Sequence, residues 1–331
     1  FSVSELPGTE RGFTAKPVRL EARDRTEPWT LQELTGLGFR VIEWDGRTPY
    51  AIVDKNGRLF IILCGHPRDE GWDGVNHRVA KALFDARERM REEGCQRRGR
   101  YVNGSTGVTL GPGGKYPGNM HNTKVTQAVL DDLCANKDVR RVAGWGSSQF
   151  AYYFPKVYKY YAVNLQQLFG RHTYLTHNFD NSIFPAATFN MGPGTVSLKH
   201  ADRSNYYAGG CHIRSGGEYD HKCGGHLILF NLKLVVEFPP GSDVIIPSST
   251  VTHGNTPIQL GEWRVSFTQY CSGALFRWVA YGFQTLKDCA LKKPRLKAKV
   301  DRKSERRWMD ALNRFSKVDE LHTDRMKVFG K

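Results

Sequence analysis

The chain has 331 residues, enough for one large domain or two smaller ones with a substantial core. Its 48 Lys and Arg against 33 Asp and Glu give a formal net charge of +15, which favours a polyanionic partner. The seven cysteines are odd in number and irregularly spaced, so they favour a reducing compartment over a disulfide framework. No apolar run reaches the roughly 18 residues of a membrane span, so we expect no membrane partner.

Residues 1–48 are polar and rich in turn residues, and we expect an N-terminal arm or covering loops there. From Tyr50 onward the pattern changes. Residues 50–53 and 59–63 are apolar runs on either side of an Asn-Gly turn, which predicts a β-hairpin.

Helical periodicity follows the hairpin. Val79, Leu83, Ala86 and Met90 form one apolar stripe, which predicts a helix over residues 76–93. Its other face is rich in arginine as far as residue 100, a pattern typical of a solvated face or of a surface that contacts phosphate. The same periodicity predicts two further helices, over residues 124–136 and 155–170.

Short strands separated by Gly, Pro, Asn and Ser begin near residue 182. The predicted strands are residues 186–191, 196–200, 206–213, 226–238, 244–247, 264–271 and 276–282. Many short strands in series predict a double-stranded β-helix, the jelly-roll type of fold, over about 182–285. With helices covering one face, the predicted class is α+β, and we place a single functional domain at 49–285.

The tail, residues 286–331, carries fifteen Lys and Arg against seven Asp and Glu. Trp308, Leu312, Phe315 and Val318 have helical spacing, which predicts an amphipathic helix docked on the core. The basic run 292–299 resembles a nuclear-localisation or nucleic-acid-contact segment, so we expect the protein in the nucleus. A solvated basic linker is the alternative interpretation.

Three residues in this β-rich region form a candidate metal site. His200 and Asp202 stand in a His-x-Asp pattern, and period two on a strand puts them on the same side. The fold must then bring in His253 as the third ligand. Two imidazoles and one carboxylate bind one face of an octahedral iron and leave three positions open.

Arg264 follows His253 by eleven residues, on a segment in which Arg264 and Ser266 alternate with Val265 and Phe267. A buried arginine needs an anion, and its planar fork suits the far carboxylate of 2-oxoglutarate. Ser266, two residues on, would donate a hydroxyl from the same face. This constellation predicts an oxygenase dependent on Fe(II), 2-oxoglutarate and O2.

Several motifs also resemble a known family. Residues 224–229 (GGHLIL), 232–242 (LKLVVEFPPGS), 253–258 (HGNTPI) and 269–279 (QYCSGALFRWV) are similar to the fungal, transposon-associated branch of the TET/JBP dioxygenases. The resemblance is dense over about 186–283 and thinner over about 50–185. TET and JBP enzymes oxidise methyl groups on nucleic-acid bases. The resemblance therefore implies double-stranded DNA with methylated bases as the partner, bound by a monomer.

The resemblance implies further site residues. His226 would contact the co-substrate carboxylate nearer the iron, with Asn190 assisting from a neighbouring strand. Asn205 would hydrogen-bond the edge of a flipped base and Tyr270 would stack on its ring. Asn119 lies at the end of a Gly-rich loop that does not match a phosphate-binding motif, and it would also reach the base.

One departure leaves the substrate open. Ser272 stands where TET enzymes have a histidine, and its smaller hydroxyl leaves room for a different base. We expect oxidation of 5-methylcytosine to hydroxymethyl, formyl and carboxyl forms, with N6-methyladenine as the alternative or second substrate. A non-catalytic nucleic-acid-binding module and an oxygenase of protein or small molecules are the remaining alternatives.

Cys211, His212, His221 and Cys223 could supply the donor atoms of a zinc site on paper. Adjacent residues on a strand face opposite ways, however, so Cys211 and His212 do not form a zinc knuckle.

Overall fold

The computed structural model describes residues 1–9, 12–16, 26–90, 98–111 and 114–330. The α-helices in these ranges are α1 Leu31–Gly36, α2 Trp72–Ala86, α3 Lys124–Ala135, α4 Lys137–Tyr153, α5 Pro155–Arg171, α6 Gly273–Ala280, α7 Leu286–Lys292, α8 Pro294–Arg302, α9 Ser304–Leu312 and α10 Leu321–Phe329. The strands are β1 Arg40–Ile42, β2 Tyr50–Val53, β3 Leu59–Cys64, β4 Asn103–Thr109, β5 Gly118–Asn119, β6 Ala186–Asn190, β7 Cys211–Glu218, β8 Leu227–Leu229, β9 Leu234–Val236, β10 Asp243–Ile246, β11 His253–Asn255 and β12 Trp263–Tyr270.

The strands form two sheets. The large sheet has the order β2-β3-β10-β7-β12-β6-β4-β5, and the small sheet has the order β1-β9-β8-β11. Neighbouring strands are antiparallel throughout, apart from the parallel pair β1 and β9. The prediction of an α+β fold with a double-stranded β-helix is confirmed.

Helices α2, α3 and α4 cover the outer face of the large sheet. Val265 and Phe267 of β12 are buried there in one cluster with Val79 and Leu83 of α2. Side chains alternate along a strand, so the residues between them face the small sheet. The helical layer thus leaves the inner face of β12 free to line a site.

The predicted hairpin is confirmed as the antiparallel pair β2 and β3. The predicted helices 124–136 and 155–170 are confirmed as α3 and α5, and α2 begins four residues before its prediction. Residues 91–93 of that prediction lie outside the described residues. Sequence reading missed α4, although Asn136 caps its N-terminus and Val139, Val142 and Ala143 are buried at helical spacing.

Four strand predictions need correction. Residues 196–200 contain no strand, only an isolated bridge between His200 and His253. Strand β7 begins at Cys211 because Gly209 N donates to Tyr206 O in a preceding turn. Residues 226–238 divide into β8 and β9, since Lys233 takes a left-handed conformation after a short 3-10 helix.

The fourth correction is residues 276–282, where helix α6 replaces the predicted strand. Its buried positions include Leu275, Phe276 and Trp278. A short apolar run of this kind fits a buried helix and a buried strand equally well, and packing decides between them.

Both ends of the chain pack on the core. Val3 and Phe13 are buried in the main cluster, and β1 extends the small sheet, so the described part of residues 1–48 contributes to both. In the tail, α9 ends at Leu312, Phe315 is buried beyond it, and Val318 is exposed, so the predicted helix is shorter. Among the described helices, none has the length and apolar character to cross a membrane.

Candidate metal and co-substrate site

A cavity of about 500 Å³ lies between the two sheets. Arg264, Ser266, Thr268 and Tyr270 line it from the inner face of β12. The small sheet and the segment before Asp202 line the opposite side. Residues alternate along β12 as the sequence predicts: Arg264 and Ser266 face the cavity, and Val265 and Phe267 face the helices.

The cavity brings together His200, Asp202 and His253, whose ligand atoms lie within 4.8 Å of one another. The backbones of His200 and His253 exchange hydrogen bonds of 2.9 and 2.8 Å, which sets the two rings side by side with centroids 4.3 Å apart. Asp202 N donates to Ser248 O at 2.9 Å and so fixes the carboxylate beside them. The residues meet as predicted, although a bridge and not a strand carries His200.

Hydrogen bonds direct both imidazoles toward the cluster. His200 Nδ1 lies 2.7 Å from Leu198 O, and His253 Nδ1 lies 2.9 Å from Val251 O. A carbonyl oxygen only accepts, so each Nδ1 carries the proton and each Nε2 has a free lone pair. Burial lowers the pKa of His253, and burial together with His253 lowers that of His200 to about 3. Neutral imidazoles are the form that binds a metal.

Asp202 supplies the negative charge of the cluster. Burial raises the pKa of its carboxyl, but Arg98, His200 and His253 outweigh burial and hold that pKa below its usual value. Arg98 Nη2 forms an ion pair with Asp202 Oδ1 at 2.7 Å. A buried carboxylate beside two imidazole lone pairs fits a divalent metal ion.

Arg264 reaches the cavity from the large sheet and is 1% exposed. Its Nη1 donates to Thr195 O at 2.5 Å, while its buried Nε makes no hydrogen bond. The rings of Tyr219 and Phe238 lie 5.8 and 5.7 Å from the guanidinium carbon. A buried cation with an unsatisfied N–H group, facing a cavity, fits an anionic ligand.

Two further polar residues stand beside Arg264. Asn190 Nδ2 donates to Ser266 Oγ at 2.7 Å across the paired strands β6 and β12, and both side chains line the cavity. His226 is fully buried and is not part of the cavity wall, whereas the next residue, Leu227, is. His226 Nδ1 lies 2.8 Å from Thr256 Oγ1, and the buried Nε2 makes no hydrogen bond. Contact between His226 and a co-substrate stays a prediction.

The predicted base contacts divide into two groups. Asn205, Tyr270 and Ser272 all line the cavity. Asn119 does not, and its amide is already bonded, donating to Tyr174 O at 2.9 Å and accepting from Thr176 N at 3.0 Å. Contact between Asn119 and a base stays a prediction, and in this structure its side chain bonds the backbone of residues 174 and 176.

Sequence reading missed other residues of the cavity wall. Arg98 was predicted only as part of a basic surface, and nothing local indicates that it meets Asp202. Ser105 and Thr188 also line the cavity, and their hydroxyls form a chain to Tyr270, with Oγ–Oγ1 and Oγ1–Oη distances of 2.7 and 3.1 Å. Period two counted back from Asn190 would have indicated Thr188.

Cys211 and His212 face opposite ways, as predicted. Cys211 lines the cavity, and His212 points to the helical layer with its Nε2 2.8 Å from Asp243 Oδ1. Arg214 Nη1 donates to the second Asp243 oxygen at 2.6 Å, so the aspartate links two buried residues of β7.

No protein-family model and no curated protein matches the sequence. The solved structure of NgTET1 in complex with 5mC DNA is similar, with a TM-score of 0.51 and 12% identity over 71% of this chain and 82% of that one. The chain has a TET-like fold. At this identity the likeness establishes the fold and leaves the substrate to be proposed, and the fungal branch stays a prediction.

Two other solved structures are similar to a smaller degree. One is an oxidoreductase of the 2OG-Fe(II) oxygenase family from Burkholderia pseudomallei, with a TM-score of 0.33 and 14% identity over 64% of this chain and 95% of that one. The other is the rice dioxygenase for auxin oxidation, with a TM-score of 0.30 and 16% identity over 65% and 74%. Scores this low support no conclusion about this chain.

Proposed function

We propose that this chain is an Fe(II)- and 2-oxoglutarate-dependent dioxygenase that oxidises methyl groups on DNA bases, with 5-methylcytosine as the first candidate. The observation that carries the proposal is one cavity with two complementary features. The cluster of His200, Asp202 and His253 offers three metal ligands, and Arg264 offers a buried, incompletely bonded cation. The fold shared with NgTET1, whose structure contains 5mC DNA, supports the choice of substrate.

His200, Asp202 and His253 would hold Fe(II), and Arg264 would bind the far carboxylate of 2-oxoglutarate through two N–H groups. Ser266 and Asn190, already bonded to each other, would complete the polar end of that site. Iron, 2-oxoglutarate and O2 would supply the oxidising chemistry. The chain's own residues would position the methyl group and exclude bulk water from a site between two sheets.

The substrate base would enter the cavity by flipping out of the duplex. Tyr270 would stack on it, and Asn205, whose Nδ2 donates to Ser248 Oγ at 3.2 Å, would bond its edge. Lys and Arg of residues 292–307 would contact phosphate, as would the arginines of 87–100, part of which lies outside the described ranges. This reaction on DNA would place the protein in the nucleus.

N6-methyladenine is the second candidate, and Ser272 is the observation that favours it. Its hydroxyl lines the cavity where the family resemblance implies an imidazole, and it donates to Leu110 O at 3.4 Å. A smaller side chain leaves space for a purine beside Tyr270. The same methyl oxidation would release the N-methyl group, because a hydroxymethyl group on an amine nitrogen is lost as formaldehyde.

The test is mass spectrometry of nucleosides after incubation with duplex DNA that carries either methylated base. We expect oxidised cytosine forms, adenine regenerated from N6-methyladenine, or both, with matching amounts of succinate. A His200→Ala/Asp202→Ala protein is the control and should give neither. If the wild-type protein leaves both bases intact but still binds DNA, the non-catalytic alternative replaces this proposal.

A further inference from the structure

An exposed aromatic side chain stands on the loop that borders the cavity. Tyr116 is 63% exposed and lies between β4 and β5. Thr109 and Gly111 before it and Met120 after it all line the cavity. Residues on both sides of Tyr116 therefore belong to the cavity wall, and Tyr116 is the exposed aromatic residue between them.

Other exposed aromatic residues of the described chain stand elsewhere. They are Phe1, Tyr50, Tyr152, Tyr174 and Phe329. None of them belongs to a segment that lines the cavity. Among these exposed aromatic residues, Tyr116 is therefore distinguished by its place beside the cavity.

Residues 117 and 119, just after Tyr116, are held in place by residues 174 and 176. The Asn119 amide bonds the backbone of Tyr174 and Thr176, and Tyr174 Oη donates to Pro117 O at 3.0 Å. These three hydrogen bonds fix the residues just after Tyr116. A side chain on such a support can act on a partner without a large ordering cost.

Tyr116 also rests on a buried aromatic residue. Its ring meets Trp278 edge to face with centroids 5.6 Å apart. Trp278 is held in turn, since its Nε1 donates to His172 Nε2 at 2.9 Å. It belongs to α6, which begins directly after the cavity residue Ser272. The cavity wall and the support of Tyr116 are thus one continuous segment.

We propose that Tyr116 enters the DNA duplex and stacks in the space that the flipped base leaves. The inference rests on the proposed function, because it requires a base in the cavity. Flipping removes the stacking partner of two neighbouring bases, and an inserted flat side chain restores those contacts. Lys115 beside it carries the charge that a flanking phosphate needs.

The first experiment compares methylated duplex with the same methylated strand alone. Tyr116→Ala should lower oxidation of the duplex about tenfold or more, because flipping loses its compensation. It should change oxidation of the single strand less than about twofold, because no base pair has to open there. Tyr116→Phe should restore duplex activity, and Tyr152→Ala, a matched change of an exposed tyrosine, should leave both substrates unaffected.

The second experiment measures flipping without turnover. The fluorescent base 2-aminopurine replaces the target base in a duplex saturated with protein, and its emission rises when it leaves the stack. Wild-type protein should produce the rise and Tyr116→Ala should abolish most of it. Equal emission for the two proteins, no rise with the wild type, or equal loss of oxidation on both DNA forms would overturn the inference. If the wild type oxidises neither DNA form, the proposed function fails, and the fluorescence still decides the role of Tyr116.

Discussion

Replacing Arg264 by lysine gives the sharpest test of the co-substrate site. Lysine keeps the positive charge, but its single ammonium group cannot form the two parallel hydrogen bonds of a planar guanidinium. Arg264 is 1% exposed and its Nη1 already donates to Thr195 O, so the remaining N–H groups are the ones that would meet a carboxylate. The substitution therefore removes bonding geometry and leaves net charge unchanged.

The expected effect follows from the strength of such bonds. A hydrogen bond to a charged group contributes about 1.5–3 kcal/mol, so loss of one arm of the fork should weaken 2-oxoglutarate binding about 10- to 150-fold. Anaerobic titration of the Fe(II)-loaded protein with 2-oxoglutarate measures the dissociation constant, and the Michaelis constant should rise in parallel.

The matched control is Arg140→Lys. Arg140 Nη2 pairs with Asp180 at 2.6 Å on the surface, where an ion pair contributes at most about 1 kcal/mol. This variant should bind 2-oxoglutarate like the wild type. An unchanged dissociation constant in a folded Arg264→Lys protein, with its thermal melting intact, would refute the assignment of Arg264 to the co-substrate.

Three further predictions test the rest of the site and its support. His200→Ala should lose Fe(II) in an anaerobic titration and produce no succinate, because two ligands do not hold the facial geometry; wild-type succinate formation would exclude His200 as a ligand. Asp243→Asn should lower the free energy of unfolding by about 3–5 kcal/mol, because it leaves Arg214 buried without its anion. Burial raises the pKa of Asp243, but Arg214 and His212 together outweigh burial and lower the folded pKa. This stabilisation is therefore present above the unfolded pKa of about 4 and is lost as pH falls through the folded value. Chemical unfolding at several pH values should therefore show the two proteins converging in acid; a constant difference would contradict the pairing. Thr188→Val removes a hydrogen-bond partner of the Tyr270 hydroxyl, so duplex oxidation should fall about 2- to 10-fold. The double variant with Tyr270→Phe should lose no more activity than Tyr270→Phe alone. Additive losses in the double variant would show that Thr188 acts separately.

Short-range patterns in the sequence were enough to predict part of this site. Arg264 and Ser266 share a face because a strand has period two, and that statement needs no knowledge of the partner strands. The His-x-Asp pattern of His200 and Asp202 was readable from the ligand preferences of iron, although an isolated bridge and not a strand holds His200. The hairpin at β2 and β3 follows in the same way from its Asn-Gly turn.

Other features depend on contacts between residues far apart in the chain, where local patterns carry no information. Arg98 meets Asp202 because both line the same cavity although they lie far apart in the chain. Asn119 likewise bonds the backbone of residues 174 and 176 through tertiary packing. The apolar run at Phe276 suits a strand and a helix equally well, and burial against α5 selects the helix. Tyr116 likewise differs from the other exposed tyrosines by its place next to the cavity. That place depends on tertiary structure, because residues on both sides of Tyr116 line the same cavity wall.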